Sequence, residues 1–151
     1  MNLIPFQVEH FEVLKNSQEL MLVSLDERRI YQQVASCALN PSFTGMINGE
    51  VVGAAGLWHL WKGVAEAWAI MGSKAVNHPY AVQKALKRGL VALSEAMGLH
   101  RIQAVMRIDN LRGLKWLKTL GFEQEGEPMK GYGPDGADYY RLAIVRTICR
   151  S

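Results

Sequence analysis

The chemistry-bearing residues that stand closest together in this sequence are cations. Lys84, Lys87, Arg88, Arg101, Arg107, Arg112, Lys115 and Lys118 crowd the region from 84 to 118. Solvated surface charge is the ordinary reading of such a run, but an anionic ligand would also be at home there, whether nucleotide, phosphate or nucleic acid. Nucleic acid is the least supported of these, since RNP-type aromatics, a zinc-finger spacing and a basic leucine zipper are all missing. Nucleophiles and metal ligands are sparse. Cys37 and Cys149 are too few for a disulfide framework or a zinc cluster. Cys37 falls on a helical apolar stripe and reads as a small core residue. His59 and His78 lack partners at ligand spacing, so no metal is expected.

An alternation of strands and helices must position these residues. Residues 3–8 read as an opening strand and 10–16 as a helical stretch. Asp26 is a candidate N-cap for a second helix, with Ile30, Val34 and Ala38 one turn apart and Pro41 ending it. Asn48-Gly49 between the β-prone runs 43–47 and 51–57 marks a hairpin. A strand over 64–71 precedes a long helix over 79–97, where Val82, Leu86, Leu90, Leu93 and Met97 recur every three or four residues. Gly98 stops that helix. Alternation of Ile102, Ala104, Met106 and Ile108 predicts a strand over 101–108, and a short helix over 110–120 ends at Gly121. Strands over 122–125 and 139–148 close the chain around a loop with Gly131, Gly133, Pro134 and Gly136.

This order predicts one α/β (α+β) domain over 1–151, a mixed, mostly antiparallel sheet with helices on both faces. Of the 151 residues, 49% are hydrophobic and 21% charged, with a net charge of +3, which excludes a disordered chain. No secretory leader pattern and no apolar run of membrane-spanning length is visible. With only two thiols, the expectation is a cytoplasmic protein with no membrane partner.

One stretch carries a specific likeness: Gly98-Leu-His-Arg-Ile102, then Asn110-Leu-Arg-Gly-Leu-Lys-Trp-Leu-Lys-Thr-Leu-Gly-Phe122, then Glu125-Gly126. In this order and spacing it resembles the GNAT N-acetyltransferase superfamily, over about residues 64–145. The resemblance implies a sheet in which the strand over 64–71 splays from the one over 101–108. It implies acetyl-CoA as cofactor for acetyl transfer to an amine, on a small molecule or a protein. It implies Glu66, in Val64-Ala-Glu66-Ala-Trp68, as the general base that takes a proton from the ammonium directly or through water. Ile70, Met71 and Gly72 match the part of that strand whose backbone pairs with the pantetheine arm, with Gly72 suiting a bulge. Asn77, Tyr80, Ala81 and Val82 occupy the positions of the pyrophosphate loop, and Asn110 opens the next helix on the cofactor side. Arg112 and Lys115 are candidates for the 3′-phosphate. Trp58, Trp61 and Trp68 are expected in the core or the cleft wall.

Two positions depart from that pattern. The superfamily's loop is Gln/Arg-x-x-Gly-x-Gly/Ala; here it is Asn77-His-Pro-Tyr80-Ala-Val82, with neither glycine. Glycines let the backbone approach phosphate oxygens closely, and Pro79 has no N–H to offer, so weak cofactor binding is expected. The superfamily's general-acid tyrosine, seven residues after the Asn, is Leu117. Tyr132, Tyr139 or Tyr140 could replace it, and the sequence does not choose among them. Trp116-Leu-Lys-Thr-Leu-Gly121 is similar to GNAT-like internal virion or assembly proteins of tailed bacteriophages, which implies a second expectation: a non-catalytic assembly or interaction module with phage protein partners, in the host cytoplasm or the virion.

Overall fold

The computed structural model describes residues 1–15, 20–21 and 29–146. Eight strands and four helices follow in the order β1 (Asn2–Pro5), α1 (Val8–Leu14), β2 (Leu20–Met21), α2 (Ile30–Leu39), β3 (Ser42–Ile47), β4 (Glu50–Trp61), β5 (Val64–Met71), α3 (Pro79–Met97), β6 (Arg101–Arg107), α4 (Leu111–Thr119), β7 (Glu123–Met129) and β8 (Tyr139–Val145). A 3-10 segment, Ser73–Asn77, links β5 to α3.

Local chemistry explains most of these boundaries. Asn48 and Gly49 both adopt positive φ, 51° and 75°, as a two-residue hairpin turn matched to the twist of β3 and β4 requires. Gly98, at φ 64°, ends α3 in the left-handed conformation, while Leu99 N–H reaches back to the Ser94 carbonyl. Asn110 caps α4 by accepting the Gly113 N–H at 2.9 Å. Helix α1 begins two residues before the expected stretch, because His10 Nδ1 accepts the Gln7 N–H and tightens the first turn. β4 runs to Trp61 rather than stopping at Leu57, and β7 to Met129 rather than Glu125. The Asp26 cap, the last two positions of the expected closing strand and Cys149 lie outside the described residues. β2 had no signal in the sequence.

The sheet order is β1-β3-β4-β5-β6-β8-β7, with β2 added beside β5. All pairs are antiparallel except β5–β6, which α3 joins as a crossover. The two faces bury separate cores. On one, α3 and α4 supply Val82, Leu86, Leu90, Leu114 and Leu117 to a cluster with Ala65, Ala67, Met71, Ile102, Ala104 and Leu142. On the other, α1 and α2 supply Phe11, Leu14, Val34 and Cys37 against Ala54, Trp68 and Ile70. Alternate residues of β5 therefore divide: Ala65, Ala67, Ala69 and Met71 face α3, whereas Trp68 and Ile70, and by alternation Glu66, face α1.

β5 and β6 part early. Their parallel pairing covers only Val64–Arg101, Ala65–Ile102 and Glu66–Gln103. Beyond Glu66 the strands run on, to Met71 and Arg107, without pairing to each other. The sheet is split at its centre.

Candidate active site

On the α3/α4 face, a cleft open to solvent lies at the end of β5. Its floor is the end of β5 and the 3-10 segment: Met71, Gly72, Ala75 and Val76. One wall is the first turn of α3, Pro79, Val82 and Gln83; the other is one face of α4, Arg112, Lys115, Trp116 and Thr119. The α4 residues are spaced i, i+3, i+4, i+7, as one helical face demands.

The cleft favours anions. Within α3 the first backbone bond runs from Val82 N–H to the His78 carbonyl, 3.0 Å. Tyr80 and Ala81 N–H therefore have no acceptor among the described residues, and they stand at the positive end of a 19-residue helix. Arg112 and Lys115 add exposed cations that form no ion pair among the described residues. Arg101 and Arg107, by contrast, are committed. Arg101 makes a bidentate pair with Glu125 at 2.6 and 2.9 Å. Arg107 bridges Asp109 at 3.1 Å and Asp135 at 2.7 Å. Those pairs hold the carboxyls of Glu125, Asp109 and Asp135 below their ordinary range, chiefly through the hydrogen bond from the arginine in each case.

Gly72 does not form a bulge. β4 and β5 stay in register from His59–Ala65 to Gly53–Met71, and Gly72 is extended at φ −80°, donating its N–H to the Val52 carbonyl. A Cβ there would lie 3.0 Å from both the Val52 oxygen and Leu14, so close approach is what the glycine permits.

Glu66 lies on the opposite face, half-buried, at the last rung before the split. Its cross-strand neighbour in β4 is Trp58, and Gln103 Nε2 approaches its Oε1 at 3.5 Å. Tyr132, in the loop between β7 and β8, packs edge-on against Tyr139 and is 46% exposed. Partial burial and then the charge of Glu66 push its phenol above the ordinary tyrosine value. Tyr140 packs against the α3/α4 core and Tyr139 is buried opposite Arg107, so Tyr132 is the accessible phenol that shares a face with Glu66.

The cleft thus gathers Met71, Gly72 and Val82 with Arg112 and Lys115. Asn77, Tyr80 and Ala81 do not line it; they stand beside Val76 and Pro79, which do, on the 3-10 segment and the first turn of α3. Ile70 is on the other face, in the Trp68 cluster. The Asn110 side-chain oxygen is taken by the α4 cap. Leu117 is fully buried, so the position that holds a tyrosine in the superfamily is core here. Trp61 is 64% exposed, at the end of β4 and not in a core or cleft wall. Cys37 is buried, its thiol pushed up to about 12 by desolvation. Sequence reasoning missed Gln83, Trp116 and Thr119; the i, i+4 and i+7 spacing from Arg112 was the signal for the last two. No group of metal-ligating side chains occurs among the described residues, and no helix there is long and apolar enough to cross a membrane.

No family model matches the chain, and no curated protein sequence does. Solved structures match along nearly its whole length. Ard1 from Thermoplasma volcanium superposes with a TM-score of 0.79 at 14% identity, covering 97% of this chain and 98% of that one. The ribosomal-protein-alanine N-acetyltransferase from Brucella melitensis gives 0.74 at 14% identity, with 96% and 99% covered. A GNAT-family acetyltransferase from Bacillus anthracis gives 0.67 at 23% identity, with 95% and 93% covered. The chain has the GNAT fold.

Proposed function

We propose that this GNAT-fold chain transfers an acetyl group from acetyl-CoA to an amine, the donor entering from the α3/α4 cleft and the acceptor from the face of Glu66. The observation that carries this reading is the split in the sheet. A cleft walled by the cations Arg112 and Lys115 lies on one face and the Glu66 carboxylate on the other, and β5 and β6 stop pairing at the Glu66–Gln103 rung. Glu66 and Gly72, the extended residue just past the end of β5, are six residues apart, roughly 20 Å at ~3.3 Å per residue. An extended donor arm must cover that span from the helix mouth to the carboxylate.

Tyr80 and Ala81 N–H, with Arg112 and Lys115, would hold the donor's phosphates, and bound coenzyme A would present an acyl thioester. The remaining chemistry belongs to this chain. Glu66 removes a proton from the acceptor ammonium, directly or through water, and leaves a neutral amine to attack the thioester carbonyl. A new C–N bond forms and the C–S bond breaks. The Tyr132 phenol, kept protonated by its surroundings, gives a proton to the departing sulfur and regains one from the nitrogen, which sheds its second proton as the amide forms. Trp58 and Trp68 border the carboxylate and limit the water around it.

A thiol-release assay tests this. Acetyl-CoA is offered with a panel of acceptors: peptides with a free N-terminus, polyamines such as spermidine, and amino acids. Release with at least one acceptor is expected, and Glu66→Gln should lower it by roughly two orders of magnitude or more while donor affinity stays unchanged. Equal rates for parent and variant would remove Glu66 from the mechanism. A second reading, an assembly or interaction module without turnover, draws on the buried Leu117 and the glycine-free loop. No release with any acceptor, together with no coenzyme A binding, would favour it.

A further inference from the structure

A strand has two edges, and the two edges of β5 have different fates. β4 pairs with one of them from Val64 to Met71. On the other edge, β6 pairs only as far as Glu66, and Ala67, Trp68 and Ala69 have no partner strand there among the described residues. The edge is then taken again, by the chain itself: β2 lies antiparallel to it, with Leu20 opposite Met71 and Met21 opposite Ile70. Because β4 holds the first edge at both of those residues, β2 can only be on the edge that β6 has left. Two residues of backbone therefore close the far end of the split, beside the Met71 and Gly72 that floor the cleft.

Ladder bonds are indifferent to what supplies them. An exposed strand edge offers N–H and C=O groups to any extended, amide-bearing partner. Gly72 N–H, and by alternation the backbone groups of Ile70, point to β4, so those of Met71 face the other edge, and they can serve only one partner at a time. A pairing of two residues is also a short one, and so easily exchanged. We propose that Leu20–Met21 is an autoinhibitory self-strand, which competes with the amide-bearing arm of an acyl donor for the Ile70–Met71 edge and is displaced when the donor binds. This rests on the reading that coenzyme A enters the split. Its consequence is a lowered apparent affinity, since only the fraction of molecules with a vacated edge can take the arm.

Two measurements test it, both with the full chain. Leu20→Pro and Met21→Pro each delete one backbone donor from β2 and disfavour its pairing. At least one of them should bind coenzyme A about 3- to 30-fold more tightly by calorimetry, the scale of one or two net hydrogen bonds. In the unmutated protein, which removes any question of folding, hydrogen exchange should quicken at a peptide spanning residues 20–21 at saturating coenzyme A, while a peptide spanning 67–72 stays protected. If both variants bind like the parent, or if exchange at 20–21 is unchanged or slower, the self-strand proposal falls and the acetyl-transfer reading stands. If neither parent nor variants bind at millimolar coenzyme A, both fall.

Discussion

Restoring a tyrosine at position 117 should damage the protein rather than equip it. Leu117 is fully buried in the cluster that α4 shares with β6 and β8, and the carbonyl of Leu117 accepts from Phe122 N–H at 3.1 Å as the chain turns into β7. Tyrosine there adds a ring's bulk to a packed site, at about 1–3 kcal/mol. It also carries a hydroxyl with no partner in an apolar cluster, about 1–3 kcal/mol more. The sum, about 2–6 kcal/mol, corresponds to a Tm lower by roughly 5–20 °C for a chain of this size. Calorimetric or circular-dichroism melting of Leu117→Tyr beside the parent reads this directly, with thiol release measured on the same samples. A Tm within about 2 °C of the parent, together with faster release, would contradict a buried, closely packed position 117. It would mean that position 117 faces the reacting atoms after all.

Other outcomes follow from the same geometry. Arg112→Ala with Lys115→Ala should weaken coenzyme A binding roughly 2- to 30-fold at low salt, and less at high salt, as screened charges require; calorimetry at two ionic strengths reads both. Gly56→Ala should lower stability by about 1–3 kcal/mol, because its Cβ would meet the Pro41 carbonyl at 2.7 Å and Ser42 Cα at 2.9 Å, which are backbone atoms; an unchanged urea midpoint would contradict this. Glu125 has a carboxyl pKa lowered by Arg101, so its pairing stabilises the fold above the unfolded carboxylate value and is lost as pH falls through the folded one. The Tm gap between parent and Glu125→Gln should therefore close in acid, and it should be small throughout, since exposed pairs contribute at most about 1 kcal/mol.

Much of the fold was legible because its signals are local. The Asn48-Gly49 turn, the Val82-Leu86-Leu90 stripe and the Gly98 stop each follow from one stretch of chain, and all three stand in the structure. The split between β5 and β6 was also foreseeable, through the likeness carried by residues 98–126. What could not be read depends on distant pairings. β2 is two residues long, with no periodicity to show, and exists only because β5 has a vacant edge. Gly72 looked like a bulge and is instead a close approach to Val52 and Leu14, residues far away in sequence. Tyr132 stands out from Tyr139 and Tyr140 only once β8 fixes which face each occupies. The basic cluster divides in the same way, since Arg101 and Arg107 find their carboxylates on β7 and the closing loop.

A donor held at the start of α3 and reaching through the split would be visible in amide-resolved NMR during a coenzyme A titration. Saturable shifts should be largest at Gly72, Tyr80, Ala81, Arg112 and Lys115, with a dissociation constant on the order of tens of micromolar or weaker. No shifts at millimolar coenzyme A, or shifts confined to surfaces away from the α3/α4 cleft, would contradict it.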